Sequence, residues 1–501
     1  MTANRGATYR TLLIALAALI ALPFVMWGGL TWQTGRALQA ELNKVKASGA
    51  PLTMAQVAPP PVPDNQNAAL LYIKAFRYLR PGTALGQTYR DLAREENPAR
   101  RRQLLAKLRP LLAANRRALT IAAQGARLPA SRLPVDWAKL DPLTSTAVFI
   151  KYTGRFRQLA RLFAAQAEVE SADGRVEDAV QSCLIGVRMG DHVSREPDLI
   201  VNLTGRAMQA IALRALTRVL KEHRVSPALC AAAFRQLGVI DVRSPFHRVL
   251  QAQRVEGLAT LDYFQRSRHF DKDYADVGVA AMVGATIGAD LSGEETTESG
   301  STPPRLLIRL YPSPLGLPLR RGERVYYFRL MDRFIMLSQR PYREVHSQLD
   351  DIAADADYPP RGYLLMPLVF VPTQAVATRE IAQVRIDGVR IILALKAYQA
   401  ERGAYPESLA ALRTYPAGAS AAPEGRRSRI QGWDLPRDPF SGKDFVYHRI
   451  VAQRAIPERR IAPHKGAGFI LYSWGEDLKD DGGNATSDDG SPLDIVWTFG
   501  E

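Results

Sequence analysis

Residues able to do chemistry are spread thinly along this chain, and only one stretch gathers them. From Glu476 to Asp494 seven acids share the segment with a single lysine, Lys479. Carboxylates held that close repel one another unless water or a hard cation screens them. The residues leave both open, and the spacing is not that of an EF-hand loop. Elsewhere the pattern is bland. His192, His223, His247, His269, His346, His448 and His464 are dispersed, with no H-x-x-x-H or HExxH pair, so each is expected on the surface or in the core. There is no Walker A sequence, no G-x-S-x-G and no C-x-x-C. Asp191 and Asp198 flank His192 and are placed to orient its ring, but no nucleophile neighbours them in sequence. Glu168 and Glu170, two apart on a helix, point to different faces. No catalytic residue and no reaction is assigned.

A chain of 501 residues, 47% of them hydrophobic, can bury a large core and is expected to hold two or three domains. Its formal charge of +16 raises nucleic acid and anionic lipid as partners. The densest basic stretch, from Arg100 to Arg117, carries Leu104, Leu105, Leu108, Leu111 and Leu112 on its complementary face. That is the pattern of a packed helix with a solvated basic side, so no nucleic-acid partner is expected. Cys183 and Cys230 are too few for a disulfide framework, and their helical apolar contexts favour two buried thiols.

These side chains are positioned by an anchored, mainly helical chain. No charge falls between Arg10 and Arg36, and Thr11 to Trp32 is almost wholly apolar. A bilayer core needs about 20 such residues in a helix. Trp27 and Trp32 sit toward the far end, where amphipathic rings favour the interface. Its length, and the lack of a clear A-x-A site after it, favour a retained anchor over a cleaved signal. A short N-terminal tail before a large body favours the N-in orientation, which exports the body.

The expected plan is a tail and anchor over 1–35, a juxtamembrane helix and proline-rich spacer over 36–66, an α-helical domain over 67–360, and a C-terminal domain over 361–501. Pro59, Pro60, Pro61 and Pro63 predict an extended spacer that holds the body off the membrane. NAALLYIKAFRYL is expected to start a helix after an Asp-Asn cluster suited to capping. Asp173-Gly174 breaks one helix from the next, and Ile200 to Val219 carries an apolar stripe. The turn A-E-x-E-x-A-D-G-R-x-E-D-A-V resembles that of tetratricopeptide helical hairpins, without a second copy at their period. An irregular helical domain remains the alternative. Residues 284–304 are small, polar and acidic, which predicts a surface loop. The apolar run RGYLLMPLVFVPTQAVA is too short for a comfortable second span and is expected to be buried or to lie at the membrane surface.

The C-terminal domain is predicted as a long helix ending at Gly403, then short strands in DPFSGKDFVYHRI, GFILYSWG and SPLDIVWTF. The helix ending A-L-K-A-Y-Q-A-E-R-G-A-Y-P-E-S-L, followed by D-P-F-S-G-K-D-F-V-Y, Y-S-W-G-E-D-L-K-D-D-G-G and D-I-V-W, resembles the periplasmic domain of type II secretion major pseudopilins. The resemblance implies a small α+β domain, a long helix packed on an antiparallel sheet. It also implies a calcium loop in which Trp474 offers its backbone carbonyl, Asp477 its carboxylate, and Asp488 or Asp489 closes the site. The loop departs from the family through the added NATSDDG and the extra acids Asp480 and Asp481. In that family the membrane helix runs straight into the module's helix behind a cleavage motif with a glutamate. Here Thr11–Trp32 holds no acid and a helical body intervenes, so processing or polymerisation as a pilin is not expected. The resulting expectation is a single-pass protein of the bacterial inner membrane, its body periplasmic or extracellular, scaffolding protein partners in an envelope assembly, with a link to secretion left open. The alternative is an exported hydrolase whose active site forms between the helical and C-terminal domains.

Overall fold

The computed structural model describes residues 3–140, 142–267, 270, 309–360, 363–366, 371–415, 432–450, 468–487, 491 and 493–500. The stretch 284–304, Asp488, Asp489, His269 and His464 lie outside them. The first helices are α1 (Ala3–Ala47), α2 (Met54–Val57), α3 (Ala68–Phe76), α4 (Thr83–Arg94), α5 (Pro98–Ala114) and α6 (Arg116–Ala126). A long layer follows: α7 (Pro142–Ala172), α8 (Val176–Ser194), α9 (Leu199–Glu222), α10 (Pro227–Gly238) and α11 (Arg243–Arg266). Then come α12 (Leu317–Ser338), α13 (Tyr342–Asp357), α14 (Gln374–Arg402) and α15 (Ala410–Thr414). Strands β1 (Val446–Ile450), β2 (Gly468–Ser473) and β3 (Ile495–Gly500) form one antiparallel sheet in that order.

Helix α1 continues unbroken through Pro23. Between Leu13 and Trp32 its large side chains face outward, Leu19 at 67% and Val25 at 69% exposure. Each such side chain would gain about 1.5–3 kcal/mol on leaving water, and the described body does not cover them. Among the described residues this is the one helix long and apolar enough to cross a membrane. Past Gly35 the same helix joins the body. Val45 is buried in a core shared with α11, α12 and α13. Glu41 accepts from Arg329 Nε at 2.7 Å, and Lys44 lies 4.0 Å from Asp332.

Just before the prolines the chain packs on the body. Thr53 and Gln56 cap each other's backbone and start α2, whose Met54 and Val57 pack on the main core. Arg254 Nη2 also donates to Pro51 O at 3.3 Å. Two apolar side chains one turn apart need burial, and α11 and the short turn Trp137–Lys139 supply it.

Asn67 caps α3 by accepting from Ala69 N. Gly174, at φ +78°, separates α7 from α8. Helices α8 and α9 then cross so closely that a Cβ on Gly205 would strike the backbone of α8 at Gly190 and Ser194. Cys183 and Cys230 are free and buried within this layer. On α5 the leucines at 104, 105 and 108 are buried while Arg102, Lys107 and Arg109 are exposed. Arg101 breaks that pattern, reaching inward to Glu168 at 2.9 Å. From the apolar run before α14, Leu364, Leu365, Met366 and Val371 are buried.

Helix α14 ends where Gly403 adopts φ +77°, donating its N–H to Gln399 O. It packs on α9 and α10 along one flank. On the other, Ile391, Ile392 and Leu395 join Phe469, Leu471 and Phe499 of the sheet in one core. At Gly388 the Trp497 ring sits where a side chain would project.

Candidate functional site: an acidic loop and a basic groove beside β3

The loop from β2 to β3 is fixed at its entry by Asp438, which is 1% exposed. Asp438 accepts from Ser473 Oγ at 2.7 Å and from the backbone N–H groups of Phe440 and Ser441 at 3.1 Å. The DPFSG turn is thereby stitched to the end of β2. The loop then turns through left-handed backbone at Gly475, Leu478, Gly482 and Gly483. Leu478, the only non-glycine in that region among the described residues, costs about 1–2 kcal/mol there and is held by its packing on the core.

Three of the loop's acids serve its own backbone. Asp477 Oδ1 accepts from Lys479 N at 3.2 Å. Asp480 Oδ1 accepts from Tyr472 Oη at 2.9 Å and Gly482 N at 3.0 Å. Asp494 Oδ2 accepts from Gly483 N at 2.6 Å. Two buried oxygens, Asp481 Oδ2 and Asp494 Oδ1, have no hydrogen-bond partner. Burial, opposed by the Gly483 N–H, pushes the Asp494 carboxyl up to about 6, with the charges of Asp481 and Asp480 adding to the rise. Asp481 is likewise raised, by burial first and then by Asp477 and Asp480.

Trp474 and Asp477 stand at the loop's entry, and Asp488 and Asp489 lie outside the described residues. The orphaned oxygens belong instead to two acids that the resemblance did not single out. Among the described residues no group of three or more His, Cys, Asp or Glu side chains is gathered as a metal requires. A cation here would therefore rest on two carboxylates and draw its other ligands from carbonyls and water, which suits calcium's tolerance of mixed oxygen shells.

His192 is sealed in the interior at 0% exposure, its Nδ1 paired with Tyr72 Oη at 2.8 Å. Burial, then Arg188 and Arg195, push its pKa down to about 3, so the ring is neutral. Asp191 turns to Arg188 and Arg195, and Asp198 caps α9 through Val201 N. These acids support the fold around the ring and do not form a relay with it.

The second charged feature was not anticipated. A groove of about 370 Å3 runs between α9, α14 and β3. Helix α9 presents Arg214, Arg218 and Lys221 along it, α14 presents Arg385, and β3 presents Ile495 through Thr498. No acid lines it. Arg218 is spent on the last carbonyls of α4, at Leu92 and Ala93, and on Glu168 at 3.4 Å. Arg385 keeps water-accessible surface, yet surrounding protein and then Arg214 lower its pKa. A side chain standing in a crevice beside a like charge shows that combination. The spacing of Arg214, Arg218 and Lys221 at i, i+4 and i+7 was the signal available in the sequence. Compared with protein-family models, curated proteins and solved structures, the chain matches none.

Proposed function

We propose that this chain is a membrane-anchored, partner-binding scaffold of the bacterial envelope, its body extracytoplasmic and its C-terminal part a pseudopilin-like module. The observation that carries this is α1, in which one continuous helix leaves its apolar half outside the body and locks its polar half onto α12. Such a tether holds the body at a set angle to the bilayer, which suits a scaffold. The module is supported by the order α14, β1, β2, loop, β3 and by the shared core of α14 with the sheet. Calcium would be held by Asp481 and Asp494, neutralising the two orphaned oxygens.

Protease treatment of spheroplasts tests the topology: digestion of the body is expected, and a protected body or a soluble chain ends the proposal. Crosslinking followed by pull-down from membranes tests the scaffold, since recovery of no envelope protein would leave it without partners. Calorimetry on the full chain tests calcium, with heat expected for the wild type and lost in Asp494→Asn. Absence of calcium-dependent heat ends that part alone.

A further inference from the structure

We propose that the groove between α9, α14 and β3 is a binding site for a phosphate-bearing ligand. Three cations, Arg214, Lys221 and Arg385, line one space of about 370 Å3, and none makes an ion pair or hydrogen bond among the described residues. Ordinary surface cations are spread apart or paired, whereas here the packing of α14 on α9 holds two guanidinium groups near each other. Like charges held together are unfavourable until an anion enters.

The charge count selects the class of anion. A single carboxylate would answer one of the three cations, while a phosphate ester brings about −1.5 to −2 and three acceptor oxygens. Guanidinium groups match those oxygens bidentately, and Lys221 adds a mobile point charge at the end of α9. The volume is near the lower end of the range of small-ligand sites, about 300–1,000 Å3. Trp497 and Val389 provide an apolar wall for whatever carries the phosphate. Trp497 is itself held in place, because Gly388 leaves room for its ring against α14.

The probe is inorganic pyrophosphate, titrated calorimetrically at low salt into the full chain in phosphatidylcholine nanodiscs. Saturable one-to-one binding is expected, weakened at least tenfold in Arg214→Gln/Arg385→Gln. The pair Arg102→Gln/Lys107→Gln removes the same charge from the exposed face of α5 and should leave the affinity unchanged. Lys221→Gln, at an exposed position, gives a smaller loss without touching the packing of α14. Absence of saturable heat overturns the proposal, as does an equal loss in the α5 pair, which would mean unspecific charge attraction. Competition by short-chain phosphatidylglycerol below its micelle concentration assigns the phosphate to a lipid headgroup. Lack of competition assigns it to a free phosphate compound.

Discussion

The acidic loop and the basic groove meet at β3, one leading into Ile495 and the other lying along the strand, yet they assemble their charge in different ways. The loop's acids come from one contiguous segment, and three of the five described ones accept from backbone N–H groups of the same turns. What remains is two orphaned oxygens. The groove's cations come from two helices. Arg218 is absorbed by Glu168 and the end of α4, while Arg214, Lys221 and Arg385 have no partner among the described residues. The same excess of like charge therefore reads as a self-supporting turn with two unpaired oxygens in one place, and as three unpaired cations in the other.

The largest test of that contrast is calcium itself. A ligand at a hundredfold excess over its Kd stabilises the state that binds it by about 2.7 kcal/mol. Thermal unfolding of the full chain is expected to shift upward in calcium, and Asp481→Asn/Asp494→Asn should abolish the shift. An identical transition with and without calcium would make the loop a solvated turn, and the comparison would lose one side. Next in size is Gly388→Leu. Its side chain would displace the Trp497 ring, and overpacking of this kind costs about 1–3 kcal/mol. A lower Tm and weaker pyrophosphate binding are both expected. A lower Tm with unchanged binding would remove Trp497 from the groove's wall.

This difference in assembly also decides what could be read from the sequence. The helical class, the break at Gly174 and the stop at Gly403 all rest on neighbouring residues, and they were legible. The cap of α3 falls on Asn67 itself and not in the Asp-Asn cluster before it. So was the acid-rich loop, because its charges are contiguous. Which of its oxygens stay unpaired was not, since that depends on which backbone N–H each carboxylate meets once the loop is folded. Arg385 and Trp497 are more than a hundred residues apart, and only the packing of α14 between α9 and the sheet brings them to one groove. The short helix before the prolines was not legible either, because the packing of Met54 and Val57 depends on distant α11.

A smaller effect probes the groove without any ligand. Because Arg214 and Arg385 repel, Arg214→Gln should raise stability slightly at low salt, by about 0.5 kcal/mol, the scale of exposed charge pairs. The gain should vanish near 1 M salt, where the screening length falls to about 3 Å. A site that binds less while the protein becomes more stable is the signature of charge kept for a ligand. Destabilisation by Arg214→Gln at both salt concentrations would instead give Arg214 a packing role.

The smallest effect probes the loop by pH. The Asp494 carboxyl is raised to about 6, above the usual carboxylate value near 4, so the folded state holds this proton more tightly than the unfolded state. Ionising it therefore costs stability above about pH 6, and that cost is relieved as pH falls through the folded value toward 4. Other buried acids move the same way, with Glu323 raised to about 7 and Asp387 to about 6, so the wild-type curve alone does not isolate the loop. The difference between wild type and Asp494→Asn does. The amide keeps an acceptor for Gly483 N and removes the titration. In chelator, the variant should be more stable than wild type at pH 7.5, by a few degrees at most, and the gap should close by pH 4.5. In calcium the order at pH 7.5 should reverse, because the ion needs the charged carboxylate that the empty loop disfavours. A gap that is the same at both pH values would show that the carboxylate is stabilised by something other than a bound cation, and the loop would then share the self-sufficiency that the groove lacks.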